Sequence, residues 1–178
     1  MTLSSDVPAS VLQKIALPVV LLTVGLADAR KTIVTTATYV SYAPPRLAQT
    51  FPAQSATAKM VLERNRFSLS IASQEQLALV KSLFQSHKPD QRDKSSADPY
   101  AQEGLVQFPG QKEIYYFANS ILAFDCEVEK SFQADDYLVI VSRIRGSQKG
   151  DGQKPLVRFA HGYASIDDTI FSDDPYPV

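Results

Sequence analysis

The sequence predicts a mainly β domain, a closed and mostly antiparallel barrel with few helices. Three observations lead there. Six or more segments are rich in β-branched and aromatic residues or alternate apolar with polar. Regular turn signals separate them, which favours a barrel over a sandwich. Only one segment has a clear helical period, and the chain has no βαβ series, no GxGxxG and no GxxxxGK[ST].

The totals bound the rest. A chain of 178 residues suits one domain. Composition is that of a globular protein, 44% hydrophobic and 21% charged. A net charge of -1, with Lys and Arg scattered among acids, leaves no electrostatic footprint for nucleic acid or for an anionic membrane. One cysteine, Cys126, excludes an intrachain disulfide. With only His87 and His161 besides, ligands for a metal are too few, and none is expected.

Residues 1–14 read as a short helix or a loose lead-in. The apolar run that follows, from Ile15 to Val24, has two readings. It could be the middle of a secretory signal with Ala27-Asp28-Ala29 as its exit, or the first strand of the fold. The start carries Asp6 and a single base, Lys14, and Pro18 interrupts the run. Val19, Val20 and Val24 are β-branched. The run is also shorter than the roughly 20 residues a membrane span needs. The strand is favoured, and with it a cytoplasmic protein.

Gly25 to Lys31 connects to a second strand, Ile33 to Tyr42, which Pro44-Pro45 end because proline has no ladder donor. Ser55 or Thr57 caps a short helix over 58–65. Phe67 to Ala72 alternates as a half-buried strand. Ser73-Gln74-Glu75-Gln76 fits a capping box, and Leu77, Val80 and Phe84 give the next helix one apolar face. Gln85 to Gly104 is a polar surface excursion. Leu122 to Val128 is a strand with Phe124, Cys126 and Val128 on the core face and Asp125, Glu127 and Glu129 on the other. Tyr137 to Ile144 is a strongly apolar strand, "GSQKGDGQK" a flexible hairpin loop, and Val157 to Ile166 the last strand. The acidic tail 167–178 is solvated. The organisation is therefore 1–14 lead-in, 15–166 domain, 167–178 tail.

Two clusters could carry chemistry. The first is Thr32, Thr35, Thr36, Thr38 and Ser41. Threonine is a good strand residue, so these read either as a solvated sheet face or as the wall of a polar ligand site. The second is Ser55, Thr57 and Lys59. A helix start with hydroxyls is a plain N-cap, or a phosphate site in which converging N–H donors and the dipole favour an anion. Cys126 alternates with apolar neighbours and reads as a buried structural thiol.

The order of these parts resembles the flavin reductase-like family, the FMN-binding split barrels. The matching stretches are "LPVVLLTV", "TIVTTATYVSYAPP", "QSATAKMVLERNRFSLSIAS" and "SQEQLALVKSLF". Later come "ILAFDCEVEK", "ADDYLVIVSRI" and "KPLVRFAHGYASI". The resemblance implies a six-stranded antiparallel split β-barrel with a few flanking helices, a homodimer, and FMN near the subunit interface. Carried over by position, Thr35, Thr36, Ala37 and Thr38 run beside the isoalloxazine and ribityl chain, with Ser41 at the end of that wall. Ser55, Thr57 and Lys59 meet the phosphate. The activity implied is hydride transfer from NADH or NADPH to FMN, a reductase that can partner a monooxygenase. The cofactor carries the chemistry, so no catalytic side chain is required. The family's Gly-Asp-His is Ala134-Asp135-Asp136 here, which marks Asp136 as a point where nicotinamide binding departs from the pattern. His161 is a second candidate for the substrate side. Two other uses of the barrel stand beside this one: an FMN-binding electron-transfer protein, and a non-catalytic ligand-binding module without flavin.

Overall fold

The computed structural model describes residue 11 and residues 14–26, 29–86, 104–160 and 162–166. In chain order the elements are β1 (Leu17–Pro18), β2 (Val20–Val24), β3 (Lys31–Thr35), β4 (Thr38–Tyr42) and β5 (Pro45–Pro52). Then come α1 (Ala56–Arg64), β6 (Arg66–Ile71), a 3-10 turn (Gln74–Gln76) and α2 (Leu77–Ser86). The remainder is β7 (Leu105–Gln107), β8 (Tyr115–Phe117), β9 (Leu122–Ala134), β10 (Tyr137–Lys149), β11 (Leu156–Phe159) and β12 (Gly162–Ser165). The lead-in 1–10, His87 with most of the polar excursion, His161 and the tail 167–178 lie outside the described residues.

The main sheet has the order β3-β2-β6-β9-β10-β5-β4. Its two edge strands, β3 and β4, are consecutive in the chain and joined only by Thr36 and Ala37. A flat sheet of this order would hold its edges about 29 Å apart, at about 4.8 Å per strand. The link from Thr35 to Thr38 reaches at most about 11 Å. The sheet must therefore curl until its edges meet, which closes the barrel without a ladder between β3 and β4. Counted as one interrupted strand, β3 and β4 leave six strands around the barrel.

Ile33 to Tyr42 is thus two strands rather than one. β3 pairs with β2, Thr35 opposite Val20, and β4 pairs with β5, Thr38 opposite Ala48. No single straight strand can serve both edges, so the chain leaves one ladder before it enters the other. The prolines do end β4, but β5 begins at Pro45 itself, at the sheet position where a missing N–H costs least.

The apolar run is a strand in the centre of the fold. β2 is buried along its whole length and pairs with both β3 and β6. Val20, Leu22 and Val24 face the barrel interior with Phe51, Phe67, Leu69, Cys126 and Ile140, and α1 adds Ala58 and Val61. Leu21 faces outward into a second cluster with Val19, Val80, Leu83, Phe117 and Leu156. Burial on both faces explains why the run is continuously apolar instead of alternating.

β9 places Phe124, Cys126 and Val128 on the interior, as the alternation predicts. Its other face is not solvated along its first half. Asp125 is 1% exposed and forms an ion pair with Arg66, whose Nε donates to Oδ1 at 3.2 Å. The segment 105–117 covers this face. Ser68 Oγ donates to the Tyr115 carbonyl at 2.5 Å, and the Phe117 N–H donates to Ser70 Oγ at 3.2 Å. Thr32 lies in this same layer, buried against Thr23 with their hydroxyls 3.1 Å apart, and belongs to neither a solvated face nor a ligand wall.

Three boundaries differ from expectation. β9 and β10 run on to Ala134 and Lys149, so half of the glycine-rich "loop" is strand. The rest is latched: Asp151 N–H donates to the Ala118 carbonyl at 2.8 Å and Gly152 N–H to the Ser120 carbonyl at 3.1 Å. The segment 157–166 is a hairpin of β11 and β12, with Arg158 opposite Tyr163. Among the described residues no helix is long and apolar enough to cross a membrane.

Candidate functional site

α1 begins as its sequence requires. Ser55 is the N-cap, its Oγ accepting from the Ala58 N–H at 3.2 Å, and Lys59 N–H closes the first turn on the Ser55 carbonyl at 3.1 Å. The N–H groups of Ala56 and Thr57 have no intrahelical partner by helix geometry. Thr57 is 3% exposed, whereas Lys59 points into solvent. The helix ends on Asn65 in the left-handed region, φ 60°.

The β3–β4 join lies against the same part of the molecule. Ala37 packs on the interior cluster that contains Phe51 and Ala58. Thr36 and Ala37 belong to neither the β2 nor the β5 ladder, so their backbone groups are not spent on strand pairing. Thr35 and Thr36 are half-buried and Thr38 is exposed. Thr35 to Thr38 and the Ser55/Thr57 helix start thus both border the barrel-interior cluster.

Asp136 joins them from a third direction. Asp135 and Asp136 form the tight turn of the β9–β10 hairpin, Asp135 taking φ 49°, which aspartate tolerates. The Asp136 carbonyl accepts from the Ala53 N–H at 2.8 Å, two residues before the N-cap. The hairpin tip is therefore tied to the entry of α1, and the Asp136 residue is exposed there.

Ser41 has another task. Its hydroxyl donates to the Pro44 carbonyl at 2.7 Å and accepts from Arg46 Nη1 at 3.4 Å, which pins the β4–β5 turn. Arg46 in turn holds Glu129 with Nε and Nη2 at 2.5 and 2.6 Å. The hydrogen bond from Arg46 holds the Glu129 carboxyl below its ordinary range. Burial drives the Cys126 thiol far above its ordinary value, so it is no nucleophile.

One feature had no local sequence signal. A cleft of about 190 Å³ opens beside Thr35 and Thr36, lined also by Val19, Val34, Phe84, Arg158 and Tyr163. Phe84 comes from α2, Arg158 from β11 and Tyr163 from β12. Arg158 and Tyr163 meet only because β11 and β12 pair, a contact that local periodicity does not report. A larger hollow of about 510 Å³, between α2 and the 117–119 turn, lies away from these groups.

The donor set fits a flavin mononucleotide. Backbone groups at 36–37 outside the strand ladders and hydroxyls at Thr35 and Thr38 suit the polar edge of a flavin ring, although the Thr35 hydroxyl donates to the Thr36 carbonyl at 3.4 Å here. The helix start at Ser55 suits a phosphate. Ser55 is both cap and candidate ligand, which a hydroxyl with two lone pairs permits.

The family model for the flavin reductase like domain matches residues 12–167. No curated protein sequence matches the chain. Among solved structures, the chain is similar to BorF, the flavin reductase component of a bacterial two-component tryptophan halogenase. The TM-score is 0.74 at 18% identity, over 90% of this chain and 96% of that one. It is similar to the styrene monooxygenase flavin reductase SMOB from Pseudomonas putida S12, with a TM-score of 0.70 at 17% identity, over 96% and 98%. A third is the NADH:FAD oxidoreductase SgcE6 of Streptomyces globisporus C-1027, solved with NAD and FAD fragments. Its TM-score is 0.73 at 13% identity, over 90% and 92%. The chain belongs to the flavin reductase like domain family, a flavin-dependent oxidoreductase on a split-barrel fold.

Proposed function

We propose that the chain is an NAD(P)H:flavin reductase that uses FMN and supplies reduced flavin to a monooxygenase partner. The observation that carries this reading is that the ladder-free join at Thr36–Ala37 and the capped start of α1 both border the barrel-interior cluster. Bound there, FMN would accept a hydride at N5 from the nicotinamide, and the flavin itself supplies that chemistry. The protein's part is to orient and to exclude water. Thr35, Thr36, Ala37 and Thr38 hold the ring edge, and the Ser55 and Thr57 groups with the free N–H donors of α1 hold the phosphate. Ser41 and Lys59, assigned to the same cofactor by resemblance, act at most at its margin. Ser41 is committed to the β4–β5 turn, and Lys59 is a solvated cation near the phosphate end.

The working unit in this reading is a homodimer in the cytoplasm, with 15–166 as its domain. Thr38, Ala48 and Val141 lie in one cross-strand row on the outer face of the sheet. Phe132 and Tyr137 lie on that same face and are each 55% exposed. A second chain that covers these aromatics also covers the outer side of the flavin wall. Sedimentation at micromolar concentration should then give about twice 19.6 kDa. A tight FMN complex that sediments as a monomer would count against the shared site.

The deciding experiment is anaerobic. Protein loaded with FMN should lose its yellow colour within seconds of NADH addition. FMN that binds but bleaches only with a protein electron donor would indicate the electron-transfer reading. Failure to bind flavin at all would leave the ligand-binding module.

A further inference from the structure

We infer that the cleft between β3, α2 and the β11–β12 hairpin is a subsite for an adenosine phosphate group, with Arg158 on the phosphate and Phe84 and Tyr163 against the base. This rests on the reductase reading, and it adds the residues that recognise the second half of a dinucleotide.

Size sets the first limit. A cavity of about 150 Å³ takes one benzene ring. A cleft of about 190 Å³ has room for one planar base. Chemistry sets the second. Phe84 and Tyr163 meet edge to face with centroids 6.5 Å apart, and the Arg158 guanidinium stands 5.7 Å from the Phe84 ring. An aromatic pair with an arginine above it is a stacking surface next to an anion site. No carboxylate among the described residues pairs with Arg158, in contrast to Arg46, Arg66 and Arg145. An exposed guanidinium fork with no acid partner among the described residues suits the bidentate grip that a phosphate offers. Position sets the third. Thr35 and Thr36 line both this cleft and the proposed flavin wall, so a ligand here abuts a flavin there.

Base plus phosphate is the chemistry that NADH, NADPH and FAD share. The direct probe is ADP, titrated by calorimetry into flavin-free protein. We expect binding that R158Q weakens about 10-fold, the scale of one charge-assisted contact. R158K should recover part of the loss, since it keeps the charge without the fork. F84A should weaken adenosine as well as ADP, whereas R158Q should leave adenosine unchanged. Two further arms identify the source. A raised KM for NADH with unchanged FMN affinity assigns the subsite to the nicotinamide dinucleotide. A changed ratio of FAD to FMN affinity assigns it to the flavin's own adenylate. Wild-type protein that does not bind ADP at millimolar concentration overturns the proposal, as does R158Q protein that binds ADP like wild type. Failure of the reductase reading shows elsewhere, as absent flavin binding, and the ADP titration still reads the subsite.

Discussion

Arg46 on β5 and Glu129 in the bulge of β9 grip each other across the intervening strand β10, through two hydrogen bonds of 2.5 and 2.6 Å. The bulge is what makes this reach possible. Val128 faces Ser142 and Lys130 faces Val141, so Glu129 is the extra residue, free of the regular alternation. Because Arg46 also touches Ser41, the pair ties three strands and the β4–β5 turn together.

This pair makes stability pH-dependent in one direction. The Glu129 carboxyl is held below its ordinary range in the folded protein, first by the hydrogen bond from Arg46. A lowered folded pKa means that its contribution is present above the unfolded value and fades as pH falls through the folded one. The melting temperature of wild type should exceed that of E129Q by a constant margin above pH 5, on the ordinary glutamate value of about 4.3. The margin should shrink below pH ~4. A difference independent of pH down to acid unfolding would remove the ion pair as its cause.

Ser55 and Thr57 should separate folding from cofactor binding. Ser55 is a working N-cap, so Ser55→Ala should cost about 1 kcal/mol of stability in addition to weakening FMN. Thr57→Val nearly keeps the shape of a side chain that is 3% exposed. Its loss should fall on FMN affinity, by roughly 10- to 150-fold if a charge-assisted bond of about 1.5–3 kcal/mol disappears. Fluorescence titration with FMN and a thermal melt of each variant check both halves. Unchanged FMN affinity in Thr57→Val would take Thr57 out of the site.

Asp136 places a carboxylate at the hairpin tip that abuts the entry of α1. A dinucleotide approaching the phosphate end of the flavin would meet that like charge, weakened by solvent because the residue is exposed. Asp136→His and Asp136→Asn should both lower the KM for NADH, by about 2- to 10-fold, the scale of ~0.4–1.4 kcal/mol. The anchoring bond uses the Asp136 backbone, so neither change should disturb the fold. Steady-state NADH oxidation with saturating FMN measures it. Identical KM values would place the carboxylate away from the dinucleotide.

Gly150 has no room for a side chain. A Cβ there would stand 1.9 Å from the Ser120 carbonyl oxygen and 2.8 Å from that of Ala118. Both are backbone atoms of a turn that the following residues are bonded to, so the clash cannot be relieved by a rotamer. Gly150→Ala should destabilise by about 1–3 kcal/mol, the range for forced overpacking. Ser147→Ala, on an exposed strand position nearby, should be nearly neutral. Urea unfolding of the two variants gives the comparison.

How much of this was legible in the sequence depends on the range of the cause. The chain by itself determined what neighbours along it decide. Alternation put Phe124, Cys126 and Val128 on the core face of β9. A hydroxyl before a helical period made Ser55 a cap. A short β-branched apolar run made Val20 to Val24 a strand. Sequence order was enough to read the family, because its matching stretches lie on local elements. Tertiary structure alone decided which faces are covered. Thr32 and Asp125 look solvent-facing by period but are buried, Thr32 against Thr23 and Asp125 against Arg66, and burial depends on a partner that alternation cannot name. The break at Thr36–Ala37 arises because a closed sheet needs one strand to serve two edges, a condition of the whole barrel. "GSQKGDGQK" looks flexible by composition, yet the Ser120 and Ala118 carbonyls leave Gly150 no room for a Cβ, and the Asn119 carbonyl and Ser73 Cβ leave Gly152 none. Phe84, Arg158 and Tyr163 line one cleft only after α2 and the β11–β12 hairpin have packed. Local periodicity says which side of an element is apolar; only long-range packing says what that side meets.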